Sequence, residues 1–204
     1  MSISLFVSTT TENLQGKSHW WGAPDFPAGM RYPFVEIDDG IEEPLTFVCQ
    51  IRCEEIAPYD TTGLLPTKGM LYVFAPLAYF MGGYGRGIGS GYKPLIIHIE
   101  DCSELYPCDI VSPKDHKSIF RPAHKITFED NFDEKIVYGA TMLCPPDRDN
   151  IEAYNSGHIV LLQIEECSEW GLHIYDCGSY YILMRPEDIK NGNWNEVRSD
   201  TFTY

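Results

Sequence analysis

Basic residues are scarce in this chain of 204 residues. Fifteen lysines and arginines stand against thirty aspartates and glutamates, so the formal net charge is -15. Nucleic acids and anionic membrane surfaces are bound largely through lysine and arginine, and this balance disfavours both as partners. The same charge would attract a basic protein and speed its encounter with the chain. The composition therefore predicts either a well-solvated acidic surface or a docking surface for a basic partner.

Long apolar runs are also missing. No run approaches the length of a membrane-spanning helix, and residues 1–7 have neither the basic segment nor the apolar core of a secretory signal. The seven cysteines are odd in number and form no Cys-x-x-Cys pair, which favours reduced thiols. We therefore expect a cytoplasmic protein that does not enter a membrane.

Motifs of known active sites do not occur. There is no Gly-x-Ser-x-Gly, and the glycine-rich stretch 82–91 lacks the Gly-Lys-Ser/Thr ending of a phosphate-binding loop. No histidine or cysteine pair is matched by a second pair at zinc spacing. Cys177 and His173 are four residues apart, but neighbouring acids would raise the thiol pKa and make it less reactive. We expect no cofactor and no metal, and no catalytic residue is assigned.

Short apolar blocks separated by turn residues are the main positive signal. Residues 45–51 and 70–75 have the length and composition of buried strands, whereas residues 1–18 predict an edge strand or a loose arm. Residues 185–192 have the signature of a short helix, with proline at its start and glycine at its end. About nine strands and a few short helices predict an α+β fold with a mostly antiparallel sheet.

Part of this pattern occurs twice. The block 45–51 ends in Gln-Ile and precedes the block 70–75, and the block 159–164 likewise ends in Gln-Ile and precedes 178–183. This recurrence predicts one domain, residues 1–204, built from two pseudo-repeated halves at roughly 19–100 and 101–204. The sequence leaves the oligomeric state open.

Six residues are candidates for contacting a ligand or partner. Some lie in an aromatic, proline-rich stretch or in the glycine-rich loop, where irregular segments often carry recognition. The others are the paired glutamines, which alternatively anchor a neighbouring loop, such as Gly22 to Pro27, through their amides. The six are Trp20, Trp21, Gln50, Tyr84, Arg86 and Gln163.

Several segments taken together resemble the YwqG-like family of bacterial proteins. They are Gly22-Ala23-Pro24-Asp25-Phe26-Pro27, the run Leu65 to Phe74, and Leu161 to Ile164 followed by Asp176 to Tyr181. The tryptophan pair departs from the family, which tends to a smaller aromatic-glycine pair there. The resemblance implies an α+β domain of unknown function and supplies no catalytic or cofactor-binding residue.

Two functions are compatible with these features. The missing catalytic motifs and the acidic surface favour a non-catalytic protein-binding domain over an enzyme, for example one that neutralises a basic partner such as a toxin. The alternative is a small-molecule sensor or enzyme with a cleft between the two halves, gated by the glycine-rich loop.

Overall fold

One large antiparallel sheet dominates the structure. The computed structural model describes residues 2–81, 91–111, 117–131, 140–146, 156–175 and 177–203. Strands account for 44% of it and helices for 14%. The strands are β1 (Ser2–Ser8), β2 (His19–Trp20), β3 (Asp25–Phe26), β4 (Phe34–Asp38), β5 (Ile41–Pro44), β6 (Thr46–Arg52), β7 (Met70–Ala75), β8 (Leu95–Ile99), β9 (Tyr106–Pro107), β10 (His124–Asn131), β11 (Ala140–Cys144), β12 (Ile159–Glu165), β13 (Gly178–Met184) and β14 (Arg198–Thr203).

Within the described residues the helices are short. They are α1 (Cys53–Ile56) and α2 (Pro186–Asn191), with 3-10 turns at Ala57–Tyr59, Ala78–Met81, Ser168–Trp170 and Trp194–Glu196. The predicted helix near residue 186 is confirmed, since α2 has proline in its first turn and ends at Gly192, whose φ is 69°. The predicted α+β class is wrong. Helices of one or two turns cannot form a layer over a sheet, so the sheet curls and one of its faces encloses the core.

The N-terminal strand lies near the middle of the sheet. The order of its ten strands is β14-β13-β12-β11-β1-β10-β2-β6-β7-β8. β1 pairs with β10 along its whole length and with β11 over Ile3 to Leu5. The expectation of an edge strand or loose arm at residues 1–18 is therefore wrong for β1. Ile3 and Leu5 are buried in the main core, and this burial holds the strand between its two neighbours.

Two regions of the sheet share the same strand register. In each region, three residues lie side by side on neighbouring strands: His19, Gln50 and Tyr72 on β2, β6 and β7, and Thr141, Gln163 and Tyr181 on β11, β12 and β13. The register also shifts at matching places, between Phe47 and Cys49 in β6 and between Val160 and Leu162 in β12. The internal duplication stays a prediction, and this shared register is the observation that favours it.

The proline-rich segment, residues 17–33, covers one side of the sheet. The main core joins residues from distant strands, such as Val73 and Ile182. A second core cluster brings Phe47 and Phe74 of the sheet together with Phe26 and Tyr32, which come from the segment before β4. Because neighbouring residues of a strand point to opposite faces, this cluster covers the face of β6 and β7 that is turned away from the main core. The candidate site lies at its border.

Candidate functional site

A cavity of about 460 Å³ lies where five segments of the chain meet. Its described lining comes from the turn after β2, Tyr32, the junction of β5 and β6, the 3-10 turn after β7, and residues 119–121. The walls are largely apolar and aromatic, and they include Trp21, Tyr32, Phe47 and Phe120. This volume falls within the range of about 300–1,000 Å³ that is typical of small-molecule sites.

Arg121 is the only charged side chain in the described lining. Its guanidinium carbon lies 5.5 Å from the centroid of the Trp21 ring, close enough for a cation–π contact. Its Nη1 donates a hydrogen bond to the carbonyl of Trp170. Burial lowers the pKa of this guanidinium, yet arginine remains charged at neutral pH. Among the ion pairs of the described residues, none joins Arg121 to a carboxylate.

The turn after β2 places Trp21 against the cavity. Trp21 has a left-handed backbone with a φ of 54°, which is unfavourable for a residue with a side chain. Two hydrogen bonds hold it there: its amide donates to the carbonyl of Val48 (2.9 Å), and Nδ1 of His19 donates to its carbonyl (2.6 Å). Its ring also lies at 90° to that of Trp170, with centroids 5.9 Å apart. The tertiary contacts therefore stabilise a turn that local preference disfavours.

Gly22 completes this turn and allows a close approach between two segments. Its φ is 77°, and a Cβ atom placed on it would lie 2.6 Å from the Cβ of Ala123. A side chain at this position would push the turn away from the segment that carries Arg121. The absence of a side chain at Gly22 thus brings Trp21 and Arg121 together.

A buried polar cluster lies behind the cavity, around Asp25. The Asp25 amide donates to Oε1 of Gln50 (2.8 Å), and Nε2 of Gln50 donates to Oδ2 of Asp25 (2.7 Å) and to the carbonyl of Lys17 (2.9 Å). The amide of Gly16 donates to the same carboxylate oxygen (2.8 Å), and the Tyr72 hydroxyl donates to the Asp25 carbonyl. Gln50 therefore holds the proline-rich segment on the sheet, which confirms its predicted loop-anchoring contact.

The contacts of this polar cluster indicate a structural role. His19 Nε2 lies 3.8 Å from Oδ2 of Asp25, beyond hydrogen-bond distance, and both side chains are buried. His19, Asp25 and Gln50 do not line the cavity. The ring of His19 nevertheless contacts that of Phe47, with centroids 5.8 Å apart, so the cluster supports one cavity wall from behind.

A comparison with sequence models of protein families matches residues 18–141 to "Domain of unknown function (DUF1963)". The chain belongs to this family. The matched region contains the whole described lining of the cavity, including Arg121. The expectation of a domain of unknown function is confirmed, while the finer assignment to a YwqG-like bacterial group stays a prediction. A search of curated proteins found no match to this DUF1963 chain.

The six sequence candidates are distributed over different environments in the DUF1963 chain. Trp20 and Trp21 are both buried in the main core, and Trp21 also lines the cavity. Gln163 is half-buried; its Nε2 donates to Glu165, and Cys144 Sγ lies 3.8 Å from its Oε1. Tyr84 and Arg86 lie outside the described residues. Among the four candidates that the structure describes, the rings of Trp20 and Trp21 contact each other, with centroids 5.8 Å apart.

Sequence reasoning missed the cation of the site. Arg121 follows the apolar pair Ile119-Phe120 and precedes Pro122 in a stretch that is otherwise polar. The apolar pair next to an arginine in a polar stretch was the sequence feature that could have indicated this site. Tyr32 and Phe47 gave no signal beyond aromatic character, because their role depends on a contact between distant segments.

The described residues form neither a metal site nor a disulfide. The histidines, cysteines and acids of the described residues form no group of three that could hold a metal ion. All seven cysteines are free, and burial raises the pKa of Cys53 to about 12. Within the described ranges, no helix is long and apolar enough to cross a bilayer.

Proposed function

We propose that this chain is a non-catalytic binding domain that takes a small, largely apolar molecule in the cavity beside Arg121. The observation that carries the proposal is the cavity itself, about 460 Å³, whose described lining has aromatic walls and one cation. A few polar groups in an otherwise apolar concavity are the usual composition of a small-molecule site.

The ionisable groups in the described lining favour binding over catalysis. They are Arg121 and Tyr32. Arginine does not exchange a proton near neutral pH. The Tyr32 hydroxyl donates to the carbonyl of Leu45 (2.6 Å) and accepts from the amide of Phe47 (3.1 Å), and burial raises its pKa. Neither group is suited to general acid–base work, for which a pKa near the working pH is best.

A blocking variant tests this proposal. Ala78 lines the cavity and is half-buried, so Ala78→Phe should fill part of it; Ala28→Phe, at an exposed position outside the lining, is the matched control. Saturation-transfer NMR would be recorded with indole, p-cresol, phenylbutyrate and phenylbutyramide. We expect signals from at least one compound with the unmodified chain and the control, and their loss with Ala78→Phe. Silence from all four compounds, or signals that survive the blocking change, would refute the proposal.

A second function, binding of a basic protein partner, has support from the β4–β5 hairpin. Glu36 and Glu42 face each other across the hairpin, and like charges in this position destabilise a strand pair. Phe34 and Ile41 on the same hairpin are 44% and 52% exposed. A basic partner would relieve the repulsion and cover these apolar side chains.

This second candidate is tested by a pull-down at low and moderate salt with the unmodified chain and a Glu36→Gln, Glu42→Gln variant. The expected result is a basic protein whose retention falls with added salt and falls further with the variant. Equal retention by the two chains would count against the hairpin, and the lack of any salt-sensitive basic partner would rule the function out.

A further inference from the structure

We infer that the cavity binds an apolar monocarboxylic acid whose carboxylate pairs with Arg121. This inference rests on the proposed function, because it names the class of molecule that the same cavity takes. It follows from the charge of the site, from the donors of the guanidinium and from the character of the walls.

Arg121 differs from the other half-buried cations of the described residues. Acidic residues outnumber basic ones by two to one in this chain. Three lysines and arginines of the described residues are half-buried, and two of them, Arg52 and Lys125, each lie within 4.0 Å of a glutamate. Arg121 has no such partner among the described residues, although it is half-buried and lines a largely apolar cavity. A cation that has lost part of its water is stabilised by a nearby anion. An anionic ligand would supply that charge.

The donors of Arg121 suit a carboxylate. A guanidinium has five N–H donors in a planar fork, and in the described structure one nitrogen, Nη1, is bonded to the Trp170 carbonyl. Contact with the Trp21 ring and with this carbonyl limits the rotation of the group. A carboxylate can accept two parallel hydrogen bonds from such a fork. A phosphate carries up to two charges and more acceptor oxygens, and the described lining has no second cation to meet them.

The cavity walls determine which ligand groups can accompany the carboxylate. Tyr32 and Phe120 have ring centroids 5.6 Å apart, and Phe47 also lines the cavity. The described lining has two hydroxyls, on Tyr32 and Thr46, and that of Tyr32 is already bonded to backbone groups of the protein. These walls offer contact area and few free polar partners, so the ligand should be apolar beyond its carboxylate.

The experiment compares three probes that share a phenyl group and differ in their polar end: phenylbutyrate, the neutral phenylbutyramide and phenyl phosphate. Dissociation constants would be measured by calorimetry for the unmodified chain, Arg121→Gln, Arg121→Lys and Arg198→Gln. Arg198 is exposed and lies on β14, so its variant removes one positive charge outside the cavity lining. Circular dichroism and thermal unfolding would check that each variant is folded.

Phenylbutyrate should bind at least about tenfold more tightly than phenylbutyramide, as expected for a charge-assisted hydrogen bond. Arg121→Gln should abolish this preference, Arg121→Lys should retain part of it, and Arg198→Gln should leave it unchanged. If Arg121→Gln is unfolded, the lysine variant and the acid-to-amide ratio still decide the question.

The inference is overturned if acid and amide bind equally well to the unmodified chain, or if Arg121→Gln keeps the preference. Either result would leave the cavity as a small-molecule site, so the proposed function would survive. Tighter binding of phenyl phosphate than of phenylbutyrate would also overturn the inference and point to a phosphate. If none of the probes binds and the fragment panel is also silent, the proposed function fails together with the inference.

Discussion

Replacing Gln50 by leucine should loosen the attachment of the proline-rich segment to the sheet. Leucine is similar in size but offers no hydrogen bonds. The change removes the acceptor for the Asp25 amide and the donor for both the Asp25 carboxylate and the Lys17 carbonyl. The Asp25 carboxylate keeps the Gly16 amide as a partner, and the Lys17 carbonyl is within reach of water because its contact is only part-buried.

The magnitude follows from these partners. A buried group left without a hydrogen bond costs about 1–3 kcal/mol, and the Asp25 amide is such a group. The weakened carboxylate and the part-buried carbonyl add less, and effects within one network are not additive. We therefore expect Gln50→Leu to lower the free energy of unfolding by about 2–4 kcal/mol.

The matched control is Gln163→Leu. Gln163 in β12 occupies the same place in its strand pairing as Gln50 in β6. Gln163 is half-buried, and its described partners are the side chains of Glu165 and Cys144. Water can replace these contacts, so the expected loss is below about 1 kcal/mol. Urea denaturation followed by tryptophan fluorescence gives both values, and hydrogen exchange at the Asp25 and Gly16 amides should accelerate only in the Gln50 variant.

Two results would contradict this reasoning. A loss of less than about 1 kcal/mol for Gln50→Leu would mean that the polar cluster contributes little to stability. Equal losses for the two glutamines would mean that strand register, and not the partners of the amide, sets the cost.

Two further predictions concern the backbone and the thiols. Gly22→Ala should destabilise the chain by roughly 1–3 kcal/mol more than Gly29→Ala in denaturation experiments. Both glycines have a positive φ, but only a Cβ atom at position 22 would meet Ala123. Equal losses of stability in the two variants would disprove the close approach. Stability should fall as pH rises above about 9, because the Cys53 thiol ionises near its ordinary pKa when unfolded but has a pKa of about 12 when folded, so unfolding releases a proton in this window. Cys53→Ala should make the slope of unfolding free energy against pH shallower by up to about 1.4 kcal/mol per pH unit, and a slope identical to that of the unmodified chain would refute the assignment.

Local features of the sequence were sufficient for several elements. The block 70–75 coincides with β7, and the proline, acids and glycine around residues 185–192 mark α2. Such patterns reflect strand burial and backbone preference, which act over a few residues. The same reasoning failed for β1, because a short apolar strand has the same pattern whether it lies at an edge or in the centre.

The fold class and the candidate site could be recognised only from the tertiary structure. Short helices and many strands suit an α+β layer or a curled sheet equally well, and the choice depends on which strands pair over long distances. Trp21 was a candidate from its sequence context, whereas Arg121 was not, because neither the Trp21 ring nor the Trp170 carbonyl is near it in sequence. The composition thus established an acidic chain rich in strands. Tertiary packing alone decided where Arg121 lies, since the cavity is formed by segments that are far apart in sequence.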